Sequence, residues 1–328
     1  MHDSTDLVDM FGTDTTSRTP PARIDGTSLT KETVTGKLVT GTTTALRWAL
    51  ANDVFWPASE TCNNLKPAFY NLEIHQDIGP CVKKIDIQVD SLLRLPDSAS
   101  DVVMREFAEF WTLRPRFIER GFLHKRGILL FGPPGSGKTA TLMLMAQDVI
   151  SQGGIVCQIG SPAIASICLS MIRKIEPSRP IIALLEDIDS LIEQYGEHNF
   201  LSLLDGESQV DNICFVATTN YPEKLDKRFV DRPSRFDTIR RIGMPTAAAR
   251  RAFLAAKEPS LQEDDLIEWV RQTEGFSIAH LRELIILVKC FDRPLCAAIE
   301  RLESMRTTKP KSTDDPDRPM FGFGVNKR

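Results

Sequence analysis

The segment Gly132 to Thr139, GPPGSGKT, constrains this chain more than any other stretch in it. It has the form G-x-x-x-x-G-K-[ST], a loop whose glycines let the backbone curl round an anion and whose lysine reaches the outer phosphates of a nucleotide. The apolar run Gly127 to Phe131 before it suits a buried strand, and Thr139 to Ser151 after it reads as a helix. That order aims the helix N-terminus, with its partial positive charge, at the same phosphate. Pro134, Gly135, Ser136, Gly137, Lys138, Thr139 and Ala140 are therefore expected to hold the phosphates of a nucleotide, with Lys138 on the β- and γ-phosphates and the Thr139 hydroxyl on Mg²⁺. A ligand-free Gly/Pro-rich turn is the plain alternative.

Three further apolar runs follow: Ile155 to Ile159, Ile181 to Leu185 and Ile213 to Ala217. Strands alternating with helix-length segments predict an α/β fold, a parallel sheet sandwiched by helices, with chemistry at the C-terminal ends of its strands. After Pro245 the pattern turns helical, over Thr246 to Lys257, Leu261 to Thr273, Ser277 to Cys290 and Pro294 to Met305, a small all-helical lid domain. Upstream, Val103, Phe107 and Trp111 recur at four-residue spacing on a helix that should stop near Arg114-Pro115. Leu46 to Trp56 has helix-like content, and Ala68 to Ile87 alternates in part, predicting a small α+β N-terminal region. The expected organisation is a disordered leader over 1–44, the N-terminal region over 45–92, the α/β domain over 93–244, the helical lid over 245–305 and a disordered tail over 306–328. The tail carries Met320-Phe321-Gly322-Phe323-Gly324, a docking motif or a frayed end.

With 328 residues and a formal net charge of −4, the chain has room for a full α/β core and lacks a global basic field for nucleic acid or an anionic membrane. No apolar run approaches the ~20 residues that cross a bilayer, and the acidic start MHDSTDLVDMFG is unlike a signal peptide, so a cytoplasmic location is expected. The seven cysteines show no C-x-x-C pairing and read as reduced, mostly buried thiols.

Four other motifs stand in order around the phosphate loop's domain: ALLEDIDSL (Ala183 to Leu191), ATTN (Ala217 to Asn220), DRPSRFD (Asp231 to Asp237) and EGFSIAHL (Glu274 to Leu281). Paired carboxylates at the end of a buried strand suit metal coordination and activation of water; a solvated acidic turn is the plainer reading. With these motifs the chain, over roughly Leu93 to Met305, resembles the AAA family of ATPases, and in its LLEDID form the group containing the mitochondrial complex III assembly ATPase, though without a membrane span. The resemblance implies that Glu186 holds Mg²⁺ and Asp187 acts as base, an order reversed from the family's usual Asp then Glu. It implies that Asn220 is the sensor-1 residue, and that Arg232 and Arg235 form the arginine-finger segment that completes a neighbour's site in a homo-oligomeric, most often hexameric, ring. One extra residue before Arg232 makes Arg235 the safer finger. His280 stands at the sensor-2 position, with Arg282 near it. The adenine pocket is expected between Arg120 to Phe122 and the lid. The implied activity is Mg²⁺-dependent ATP hydrolysis coupled to remodelling a protein partner; the alternative is a nucleotide-controlled loader on nucleic acid. Ser161 to Ile175 lacks the aromatic of an unfoldase pore loop, while Tyr195 is a candidate for a second one.

Overall fold

A computed structural model describes residues 47–51, 54–58, 62–76, 79–87, 92–96, 98–205, 209–231 and 234–307. The expected leader, the tail from 308 onward with its aromatic patch, and Arg232 lie outside these residues, whereas Arg306 and Thr307, expected in the tail, are the end of the last helix.

Among the described residues nine strands form one sheet in the order β1-β2-β4-β3-β6-β7-β8-β5-β9. The strands β5 (Lys125–Phe131), β6 (Ile155–Gln158), β7 (Ile181–Leu185), β8 (Ile213–Thr219) and β9 (Thr238–Arg241) are mutually parallel, the first four where the apolar runs predict strands. The sequence reading missed β9, whose TIRR has no apolar run; its inner edge pairs with β5 from Ile128↔Thr238 to Phe131↔Arg241.

Side chains of the parallel strands sort by period two. Ile128, Leu130, Val156, Ile182, Leu184, Cys214 and Val216 face helices α1 (Ala99–Thr112) and α3 (Lys138–Ser151). On the other face Leu129, Ile155, Ala183, Leu185, Ile213 and Phe215 pack against α4 (Pro162–Ile175), α5 (Ile188–Tyr195) and α6 (Glu197–Asp205). α1 begins at the Ser98 cap and buries Val103 and Phe107 as the spacing predicts, but Pro115 starts a new helix, α2 (Arg114–Glu119), rather than ending structure there.

The N-terminal region departs most from expectation. The described residues of the stretch expected to be helical are strands instead: β1 (Arg47–Ala51) and β2 (Val54–Ala58) form an antiparallel pair, consistent with the β-forming Val54, Phe55 and Trp56. With β3 (Phe69–His75) and β4 (Gly79–Ile85) they continue the main sheet, since β3 runs parallel to β6 from Phe69↔Val156. A buried carboxylate ties the junction. Glu176, at the end of α4, accepts from Trp48 Nε1 at 3.0 Å and Leu65 N at 2.9 Å and pairs with Arg179 at 2.9 Å.

Beyond β9 and the short α7 (Lys227–Val230) preceding it, helices α8 (Ala247–Lys257), α9 (Glu263–Gln272), α10 (Ile278–Ile285) and α11 (Leu295–Thr307) enclose their own core around Phe253, Trp269, Phe276 and Leu284. α10 continues as one π turn, Ile286–Cys290. Leu93 and Leu95 pack on this helical core, whereas Leu92 packs on the α1/α3 side of the sheet, so the segment leading into α1 touches both.

Candidate active site

The strand ends bring the predicted groups together. Register places Phe131 of β5 opposite Thr219 of β8, and Leu185 of β7 opposite Ala217. The loop after β5, the acids after β7 and Asn220 after β8 therefore meet at one edge of the sheet.

Gly135 and Gly137 hold the loop's turns at φ +75° and +106°, backbone that side chains disfavour. Lys138 opens α3 and is buried, its Nζ donating to the carbonyls of Gly132 (2.8 Å) and Pro133 (3.0 Å) and to Asn220 Oδ1 (2.7 Å). Burial pushes its pKa down, and the Asp187 charge opposes that shift. Asn220 turns its Nδ2 to Asp187 Oδ1 at 3.3 Å, completing a Lys138–Asn220–Asp187 chain. Asp187 takes left-handed backbone, φ 47°, and its N–H donates to Thr218 Oγ1 at 3.1 Å.

Glu186 and Asp187 are displayed differently. Asp187 lines the cavity beside the loop, while half-buried Glu186 does not; by strand alternation Glu186 follows Ile182 and Leu184 to the α3 side. Burial first, then the Asp187 charge, raises the Glu186 pKa. The next acid, Asp189, is a support the motif reading did not single out. Buried, it accepts from Thr219 Oγ1 at 2.6 Å, and that oxygen accepts from Tyr221 N at 2.9 Å, pinning the strand end that carries Asn220.

A cavity of about 800 Å³ opens here, within the range of small-molecule sites. Pro134, Gly135, Ser136, Gly137, Lys138, Thr139 and Ala140 all line its polar end. Ser136 Oγ is buried there without a hydrogen-bond partner, a polar atom that a phosphate oxygen would satisfy, so these residues fit a nucleotide. The apolar end is formed by Leu92, Leu93, Leu95, Met244, Ile278 and Ile285. Arg120 to Phe122 take no part in it: Gly121 turns Phe122 outward, 65% exposed, and the stretch entering α1 fills that place instead.

From the helical cluster, Arg282 and Lys257 line the cavity and His280 does not. The His280 ring is turned to its own helix start, with Nδ1 2.6 Å from Ser277 Oγ and the ring 5.5 Å from that of Phe276. Burial, then Arg306, lowers its pKa, so the ring favours the neutral form. The loop apex touches this helix: a Cβ added to Gly135 would lie 2.8 Å from Ser277 Oγ.

Arg235 is remote from its own chain's phosphate loop. Its segment meets the start of β5, where Asp237 Oδ2 accepts from Gly127 N at 3.1 Å, about 16 Å along the strand from Gly132. Contrary to the expectation of a projecting finger, the side chain is 7% exposed, with Nε 3.6 Å from Asp205 Oδ2 and NH1 donating to the Arg228 carbonyl. A buried guanidinium takes such partners because desolvation without them is costly. Tyr195, the candidate pore residue, packs on the core beneath α5.

Residues 128–244 match the family described as ATPase family associated with various cellular activities (AAA). The chain is 31% identical over 205 residues to the ATP-dependent zinc metalloprotease FtsH 1 of Sphaerobacter thermophilus, covering 55% of this chain and 31% of that protein. It is 30% identical over 257 residues to human fidgetin-like protein 1, covering 70% of this chain and 36% of that protein. It is 26% identical over 262 residues to the human ATPase family gene 2 protein homolog A, covering 71% and 28%. The chain thus spans about a third of the length of these relatives. It carries an AAA-family ATPase domain, homologous to those of FtsH and fidgetin-like protein. Among the described residues no helix is long and apolar enough to cross a membrane.

Proposed function

We propose that this protein binds ATP with Mg²⁺ and hydrolyses it, and that copies assembled in a ring couple hydrolysis to remodelling a protein partner. The observation that carries the reading is the Lys138–Asn220–Asp187 chain at the ends of three adjacent parallel strands, beside a cavity with the orphaned Ser136 hydroxyl. In the bound state Lys138 exchanges the Gly132 and Pro133 carbonyls for phosphate oxygens. Thr139 and Glu186 are the side chains for Mg²⁺, which when bound neutralises charge on the phosphates. Asp187, released from Asn220, accepts the proton of the attacking water, and the Asn220 amide orients that water. Residues 245–305 act as the lid, with Arg282 its cation toward the nucleotide. The LLEDID sequence supports placement near the complex III assembly ATPase group.

The finger segment, Arg232 with Arg235, acts on the neighbouring copy, since about 16 Å of strand separates Arg235 from its own loop. For Arg235 to reach a neighbour's phosphate it must give up Asp205. Arginine fingers contribute about 10³- to 10⁵-fold in related phosphoryl-transfer sites. Specific activity should therefore rise with protein concentration until assembly saturates, and mixing Lys138→Ala with Arg232→Ala should restore part of the turnover that each lacks. Concentration-independent activity with no rescue would contradict a site shared between copies.

A further inference from the structure

Three large apolar side chains stand in solvent on one short stretch: Ile118 is 58% exposed, Phe122 65% and Leu123 45%. Among the described residues no other run of similar length holds three such side chains. The stretch is held firmly. α2 closes with Gly121 N–H donating to the Ile118 carbonyl at 3.0 Å and Phe122 N–H to the Phe117 carbonyl at 2.9 Å, a Schellman arrangement. Gly121 supplies the φ of +71° that this cap needs. One residue past Leu123, buried His124 anchors the chain again: its N–H donates to Asp211 Oδ1 at 2.7 Å, and its ring nitrogens lie 2.8 Å from Asn212 Oδ1 and 2.9 Å from the Phe110 carbonyl. Phe122 and Leu123 are thus displayed from a fixed backbone, and a clustered apolar display of this kind marks an interaction site. Exposed Arg116 and Arg120 flank it, with Glu119 3.4 Å from Arg120.

The sequence holds a segment of matching chemistry. Beyond Thr307, where α11 ends, residues 314–324 read DDPDRPMFGFG, three aspartates and Arg318 followed by Met320, Phe321 and Phe323. The chain from 308 to 328 can extend to about 70 Å, more than the width of a domain of this size. We propose that residues 314–324 dock on the Ile118, Phe122 and Leu123 patch. The aromatic rings cover its apolar centre, and the aspartates face Arg116 and Arg120. This accounts for two features the nucleotide site leaves unused, the outward Phe122 and the tail's aromatic patch.

Hydroxyl-radical footprinting of the full chain and of a chain ending at Thr307 tests the docking directly. Phe122 should be labelled several-fold more in the shortened chain. A fluorescein-labelled peptide of residues 308–328 should bind the shortened chain, at least tenfold more weakly after Phe122→Asp with Leu123→Asp, or with Phe321→Ser and Phe323→Ser in the peptide. Equal labelling of Phe122 in the two chains, or a peptide that binds the Asp variant as tightly as the parent, would overturn the proposal. So would Phe122 protection in the shortened chain that grows with protein concentration, since a second copy would then be the cover.

Discussion

Gly135→Ala is the substitution whose effect the geometry sets most closely. At φ +75° an L-residue carries a cost of about 1–2 kcal/mol. The new Cβ would also lie 2.8 Å from Ser277 Oγ and 3.2 Å from Ala279 Cβ, closer than ordinary contact. Ser277 is buried and caps α10, accepting from His280 N at 3.3 Å, so withdrawing it forfeits a cap worth about 1 kcal/mol. Together these penalise the meeting of loop apex and α10 by about 2–3 kcal/mol. If ATP is held between them, affinity measured by titration with a fluorescent ATP analogue should fall about 25- to 150-fold. Adding Ser277→Gly removes the closest contact at the expense of the cap, and should recover part of the loss. An alanine variant binding within threefold of the parent, or no recovery in the double variant, would refute the idea that loop and helix close together on the nucleotide.

The other predictions concern half-buried Glu186 and buried Glu176. Because burial and Asp187 raise the Glu186 pKa, Mg²⁺-dependent nucleotide binding should weaken on acidification from a pH above the ordinary carboxylate range near 4.5, and Asp187→Asn should move that midpoint lower. In stability the sign reverses: a raised carboxylate pKa favours the fold while protonated, a contribution lost as pH rises from the ordinary value through the raised one, measurable as a Glu186→Gln difference in urea midpoints. Glu176→Ala strands the Arg179 charge and the donors of Trp48 and Leu65, and should cost about 3–5 kcal/mol in urea unfolding; a loss below about 1 kcal/mol would show that the N-terminal strands do not depend on it.

The sequence was most readable where one interaction decides the outcome. Buried parallel strands are continuous apolar runs, so Ile181–Leu185 could be read to the residue, and the phosphate loop's order dictates its own strand and helix. Legibility failed where tertiary pairing decides. Leu46 to Trp56 has helix-compatible content, yet its neighbours in the sheet take it as two strands. β9 is too polar to announce itself and exists because β5 offers a free parallel edge. At the site, motif position located Lys138, Asp187 and Asn220 but not side-chain direction. His280 turns to its own cap while Arg282, two residues along, lines the cavity, and Arg235 is drawn inward by Asp205, which lies 30 residues earlier and in no motif.

The most direct test is ATP turnover, followed as phosphate release with Mg²⁺, of the parent chain beside Lys138→Ala and Asp187→Asn. The parent should turn over ATP, Lys138→Ala should lose both binding and turnover, and Asp187→Asn should keep binding while its turnover falls at least a hundredfold. Either variant hydrolysing ATP at the parent's rate would contradict the assignment of the Lys138–Asn220–Asp187 chain as the catalytic centre.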